Sequence, residues 1–163
     1  MQKREYQRNK AVEYAEKWAY RRNPEYYNYD SIGGDCTNFV SQCIYAGSKV
    51  MNYNKYGWYY NNSNDKSASW TGVEYLYKFL VTNKEIGPFG EEVEIKDIEI
   101  GDIAQLSFDG EKFSHSLLIV DKKETPNMNN TLVATHTFDS YGRSISSYNF
   151  VKIRYIHIEG IRI

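Results

Sequence analysis

What the chain lacks removes whole classes of protein. It has two cysteines, three prolines and three histidines in 163 residues, so neither a disulfide framework nor a proline-rich linker organises it. If Cys36 and Cys43 share a helix, their Cα atoms are about 10 Å apart at roughly 1.5 Å per residue, too far for a bridge. Both are expected to be free thiols. No apolar run approaches the length of a membrane span, and the opening M-Q-K-R-E-Y-Q-R-N-K has no signal-peptide core. As written the chain reads as unexported, although a piece of a longer secreted protein would read the same way. Charge of one sign is also missing: the formal net charge is -1, and no basic run interleaves with aromatics as a nucleic-acid face requires. H-E-x-x-H, C-x-x-C, a phosphate-cradling glycine loop and G-x-S-x-G are all absent, so no metal, nucleotide or other cofactor is expected.

What is present suffices for a core. At 41% apolar the chain can bury one without staples, and one domain over residues 1–163, acting as a monomer, is the expectation. Sixteen tyrosines suit either a polar-edged core or a sugar-binding surface.

Periodicity divides the chain into a helical first half and a stranded second half. Ala11, Tyr14, Ala15 and Trp18 fall at helical spacing within Glu5 to Arg22, and Asn23-Pro24 supplies a stop. Gly33-Gly34-Asp35 makes a turn, after which Phe39, Val40, Cys43 and Ile44 mark a second helix with Cys36 in its first turn. The stretch from Ser48 to Ser69 is long for a connection and is expected to be a substrate-side loop. Thr71-Gly72-Val73-Glu74 has capping-box spacing and predicts a third helix reaching Asn83. Beyond Pro88 the segments 93–95, 103–108, 115–120, 131–137 and 151–158 read as strands. The fold class is therefore α+β, with N-terminal helices packed on a mostly antiparallel sheet.

One constellation carries chemistry. A helix N-terminus favours a thiolate through its free amides and macrodipole, and Cys36 is placed for that. Gly33-Gly34 lets a substrate approach the backbone, and the amide of Cys36 can donate to a developing oxyanion. Cys43, inside the helix among apolar neighbours, reads as a small buried hydrophobe. A cysteine nucleophile needs a base, and the candidates are His115, His136 and His157. If Asp109-Gly110 is a two-residue hairpin turn, Phe108 pairs with Glu111 and His115 lies opposite Ala104. If the next connection centres between Asp121 and Asn130, Val120 faces Thr131 and His115 lies opposite His136, which would then orient it. A one-residue slip would turn His136 away and leave Asp139 as the alternative partner. His157 is read as structural.

The string G-G-D-C-T-N-F-V-S-Q-C-I-Y-A-G, from Gly33 to Gly47, resembles the signature of a bacterial amidase domain family within the NlpC/P60-like, papain-like superfamily. Asn9-Lys10-Ala11-Val12 with Tyr14-Ala15, Asn23-Pro24, Gly101-Asp102-Ile103, Ser114-His115-Ser116 and Thr135-His136-Thr137 are similar to the family's recurring segments, so most of the chain is covered. Ser48 departs from it, where the family often has a second glycine. The resemblance implies a papain-like fold in which Cys36 opens the central helix, His115 opens a facing strand, and the third polar residue, from the strand after, is His136. It also implies hydrolysis of amide bonds in a peptide or peptidoglycan substrate. Two other readings use the same residues: an acyltransferase or transglutaminase-like enzyme, and a wall-binding module without turnover.

Overall fold

The structure is a computed structural model describing residues 1–163. Its elements in chain order are β1 (Lys3–Arg4), α1 (Arg8–Trp18), α2 (Cys36–Ser48), β2 (Tyr60–Asn62), β3 (Asp65–Lys66), α3 (Ala68–Thr71), α4 (Val73–Thr82), β4 (Gly87–Val93), β5 (Ile103–Ser107), β6 (Phe113–Asp121), β7 (Leu132–Thr135), β8 (Ser140–Ser144) and β9 (Lys152–Arg162). All pairings in the large sheet are antiparallel. From β9 the sheet runs through β5, β6 and β7 to β8. β9 is its hub: Ile161 and Arg162 pair with both β1 and β4, while Lys152 to Ile156 pair with β5.

The helices pack on one face. Ala11 and Ala15 of α1, Phe39, Val40, Cys43 and Ile44 of α2, and Leu76 and Leu80 of α4 meet Ile103, Leu118, Ala134 and Ile156 of the sheet in the larger core. The opposite face carries Ala104, Leu106, Leu117, Ile119, Val133 and Tyr155, covered by Ile98 and the Ile145–Ser147 turn. Residues adjacent along β6 thus serve opposite cores, as the period of two in a strand requires. No helix is long and apolar enough to cross a membrane.

Element boundaries moved where side chains found other partners. α1 begins three residues later than Glu5, because the Gln7 amide donates to Gly47 O and fastens the entry segment to the end of α2. Gly47 permits that approach: a Cβ there would lie 2.5 Å from Tyr6 and 2.8 Å from Gln7 O. The capping box does not form. Thr71 ends α3, Gly72 precedes α4 without a side-chain cap, and Glu74 is drawn to Arg154 at 3.0 Å. The 48–69 segment is no open loop either. Trp58 is wholly buried against Trp70, with ring centroids 4.7 Å apart, and a small β2–β3 hairpin follows. Burying one such side chain contributes about 1.5–3 kcal/mol, and that burial orders the segment.

Candidate active site

Cys36 begins α2 because Gly33 and Gly34 take φ of 83° and 99°, values open to glycine, and so turn the chain into the helix. Asp35 is the N-cap, and the Phe39 amide donating to Asp35 O is the helix's first bond. The earlier amides of the first turn have no intrahelical acceptor. The Cys36 sulfur meets the backbone amides of Ser116 and Thr37, and lies 3.8 Å from Thr37 Oγ1. Thr37 Oγ1 in turn is 2.9 Å from Ser116 Oγ, which also accepts from Gln105 Nε2.

The thiol reaches β6 there because β7 ends at Thr135, leaving the edge of β6 at Ser116 without a strand partner on that side. The N–H and C=O of one residue point to the same edge of a strand. At Ser116 the C=O accepts from Thr135 Oγ1 at 3.0 Å, while the N–H faces the sulfur. His115 is the preceding residue. It is buried, its Nε2 lies 3.4 Å from Thr135 Oγ1, and its ring sits between Phe108 and Tyr148 at 6.3 and 6.0 Å. No hydrogen bond joins His115 to the Cys36 sulfur; catalytic bonds often tighten only around substrate.

Burial decides both charges. It raises the Cys36 thiol above its ordinary value despite the amide donors, with a smaller contribution from the neighbouring Asp35. It lowers His115 to about 4, assisted by the Arg143 charge. The expectation of a favoured thiolate is thereby corrected in direction: the helix terminus does not offset the desolvation of a residue that is 7% exposed. Both shifts favour the uncharged forms, thiol and imidazole.

Two register expectations are also corrected. The hairpin after β5 is longer than two residues, because Asp109 Oδ1 accepts from the Glu111 and Lys112 amides and Gly110 turns at φ 82°. Ser107 then pairs with Phe113, and His115 lies opposite Leu106 rather than Ala104. Between β6 and β7 the pairs are Leu118 with Ala134 and Ile119 with Val133, one residue from the expected register. A one-residue slip turns a side chain to the other face, so His136 is no cross-strand neighbour of His115. Asp139 does not replace it, being held by Arg22 at 2.9 Å.

His136 instead braces the turn that leads into Cys36. Its Nδ1 is 2.5 Å from Asp35 Oδ2 and its Nε2 is 2.8 Å from Trp18 O. It stacks on Phe39 with centroids 4.1 Å apart. Asp35 Oδ1 accepts from the Tyr29 amide and Asn38 Nδ2. Arg22 binds Asp30 and Asp139 and lies 3.6 Å from Asp35, holding the Asp30 carboxyl below its ordinary range. The turn after β7 is thus pinned at His136 and Asp139, with Thr137 and Phe138 between them at φ of 69° and 56°. Such strain in a β-branched residue persists only where the surroundings over-determine it. Thr137 Oγ1 would lie 3.3 Å from a Cβ on Gly34, so the two turns interlock.

The family model described as "Putative amidase domain" matches residues 5–158. The chain belongs to that family. Among curated proteins, "Uncharacterized protein YhbB" of Bacillus subtilis (strain 168) is 35% identical over 141 residues, which are 83% of this chain and 43% of that one. The chain therefore spans less than half the length of the curated relative it matches. No solved structure matches it.

In this amidase-domain chain the large hollows lie away from the thiol. Those of about 580 and 630 Å³ are lined around Asn52 to Gly57 and around Glu5 to Lys10, and include neither Cys36 nor His115. A smaller one of about 240 Å³ abuts His115, bounded by Phe108, Phe138, Arg143 and Tyr148. No cluster of three or more His, Cys, Asp or Glu side chains is gathered to hold a metal ion. Sequence reasoning missed Thr135, Asp35 and Arg22. Asp35 was readable as the residue before the thiol, whereas Arg22 gives no local signal, since its partners are 8 to 117 residues away.

Proposed function

We propose that the chain is a cysteine amidohydrolase of the papain-like, NlpC/P60-like kind. Cys36 is the nucleophile, His115 the base, and His136 the residue that positions the nucleophile's turn. The substrate is a peptide amide such as those of bacterial cell-wall peptidoglycan. The observation that carries this reading is the Cys36 thiol at the start of α2, set against the amide of Ser116, the residue that follows His115. Membership of the amidase-domain family supports it.

The chemistry follows from the neutral resting pair. Substrate entry brings the imidazole to the thiol; His115 takes the Sγ proton as sulfur attacks the amide carbonyl, which makes the thiolate only as it is used. The tetrahedral oxyanion accepts from the free amide of Cys36 at the helix N-terminus. Collapse breaks the C–N bond, His115 gives its proton to the leaving amine, and a thioester on Cys36 remains. His115 then removes a proton from water, which attacks the thioester and releases a carboxylic acid and the thiol. Thr135 Oγ1 holds the far ring nitrogen throughout.

Mass spectrometry of muropeptides after incubation with the parent, Cys36→Ala and His115→Ala tests this. The parent is expected to yield a new amine and carboxylic acid from one amide bond, with neither variant doing so. Undiminished cleavage by Cys36→Ala would overturn the assignment.

A further inference from the structure

A line of buried polar side chains runs behind the thiol, where the sheet meets α2 and α4, and the chemistry just described uses none of them. Gln105, Ser116 and Thr37 are 0, 0 and 1% exposed. At the outer end the Arg154 guanidinium lies over the Tyr77 and Phe113 rings at 3.7 and 4.0 Å. Its Nε and Nη2 donate to Gln105 Oε1 at 2.9 and 2.7 Å. An arginine can only donate, so the Gln105 oxygen must face it and the amide nitrogen must face the other way. There Nε2 lies 3.0 Å from Val73 O, which can only accept, and 3.2 Å from Ser116 Oγ. Both ends of the amide agree on its orientation, and one of its hydrogens goes to Ser116 Oγ.

The hydroxyls then have one consistent arrangement. Ser116 Oγ accepts from Gln105, and the acceptor within reach of its own hydrogen is Thr37 Oγ1 at 2.9 Å. Thr37 Oγ1, having accepted, turns its hydrogen to its remaining neighbour, the Cys36 sulfur at 3.8 Å. The opposite direction would leave the Ser116 hydrogen buried without an acceptor, which folded proteins rarely tolerate. We propose that Arg154, Gln105, Ser116 and Thr37 form a one-way hydrogen-bond relay that ends as a donor on the Cys36 sulfur, with Gln105 the positioning residue that sets its direction; this rests on the reading of Cys36 as the nucleophile of an amidohydrolase. A donor there stabilises the thiolate as it forms, and it leaves the thiol's own proton to His115 rather than to Thr37. No proton moves along the line. Thr37 is among the groups that lower the thiol against the effect of burial, as a donor would.

The relay can be measured without substrate. The rate at which iodoacetamide alkylates Cys36 at neutral pH follows the thiolate fraction, and peptide mapping by mass spectrometry separates it from Cys43. Thr37→Val, which keeps the shape and removes the donor, should slow alkylation about three- to tenfold, whereas Thr37→Ser, which keeps the hydroxyl, should stay within about twofold of the parent. Gln105→Glu keeps the side chain's length but puts an acceptor where Ser116 met a donor. The Ser116 hydrogen then turns to it, Thr37 turns to Ser116, and a lone pair faces the sulfur. This variant should slow alkylation at least as much as Thr37→Val, yet have no further effect when added to Thr37→Val. An unchanged rate in Thr37→Val, equal slowing by Thr37→Ser, or full multiplication of the two effects, which would mean that the new carboxylate acts through space, overturns the relay. The Thr37 pair decides the matter even if Gln105→Glu does not fold. Amide hydrolysis by the parent is scored separately: these alkylation changes with no amide cleaved would sink the amidohydrolase reading and leave the relay, and hydrolysis by a parent whose alkylation ignores Thr37 would sink the relay alone.

Discussion

Cys36 and His115 are each kept uncharged by loss of water, which fixes how both should titrate. Because burial raises the thiol, its alkylation by iodoacetamide should be slow at neutral pH and keep climbing past the ordinary thiol value of 9.0. Cys43, wholly buried in the core, should label later than Cys36 at every pH. A Cys36 rate that levels off near neutrality would instead indicate a thiolate–imidazolium pair. His115, lowered to about 4, keeps its basic form far into acid, so the acid limb of kcat/KM should fall near that value rather than near 6.5. The sign for stability follows. In the unfolded chain the ring takes a proton near 6.5 and in the folded one only near 4, so stability is full above 6.5 and declines as pH falls toward 4. Thermal melts should show this slope, and His115→Gln should flatten it. Thr135→Val, which removes the hydroxyl from Nε2, should cut kcat about tenfold while leaving the acid limb in place.

At the level of elements the site is two turns held by one charged knot, the Gly33–Cys36 turn and the His136–Asp139 turn meeting through Asp35, His136 and Arg22. His136→Ala should lower turnover by about 10–100-fold, less completely than His115→Ala, because the base and thiol remain while the turn between them loosens. An equal loss from both would make His136 part of the chemistry. The sequence singled out Cys36 and His115 as the proposed pair through composition and position: there were two thiols, only one could open a helix, and the candidate bases were three. It misplaced His136 relative to His115, because that placement depended on the β6–β7 register. The register was set by a bulge near Asp121, which the alternation of polar and apolar residues does not reveal. A second knot lies at the other end of the sheet. Asp102, wholly buried, binds Arg8 at 2.7 Å and His157 at 2.8 Å, and accepts from the amides of Glu99 and Ile158. His157, read as structural from sequence, is raised by its bond to Asp102. That stability is therefore present below about 6.5 and lost as pH rises through the folded value. Asp102→Asn should cost about 3–5 kcal/mol in urea unfolding, since it strands buried donors and Arg8, and should remove the pH dependence of His157.

For the whole molecule, the helical half and the stranded half were legible because each has its own apolar period, seen in α2 and in β5 and β6. The short strands β1, β2 and β3 were not, since two or three residues are too few to display alternation, and β8 was not, since S-Y-G-R-S holds a single apolar side chain, Tyr141. Their positions come from partners distant in the chain. β9 is the extreme case, pairing Arg162 with Lys3 as well as with Gly87. This has a temporal consequence. At about 5–20 residues per second of synthesis, Lys3 waits on the order of ten seconds or more before Arg162 exists to pair with it. Until then β5 lacks its β9 neighbour, and the strand pair that carries Ser116 and His115 has an unsealed side. A ribosome paused before residue 152 should therefore display a nascent chain whose Cys36 is labelled as readily as Cys43, and the two thiols should diverge in reactivity only once the last strand has been released.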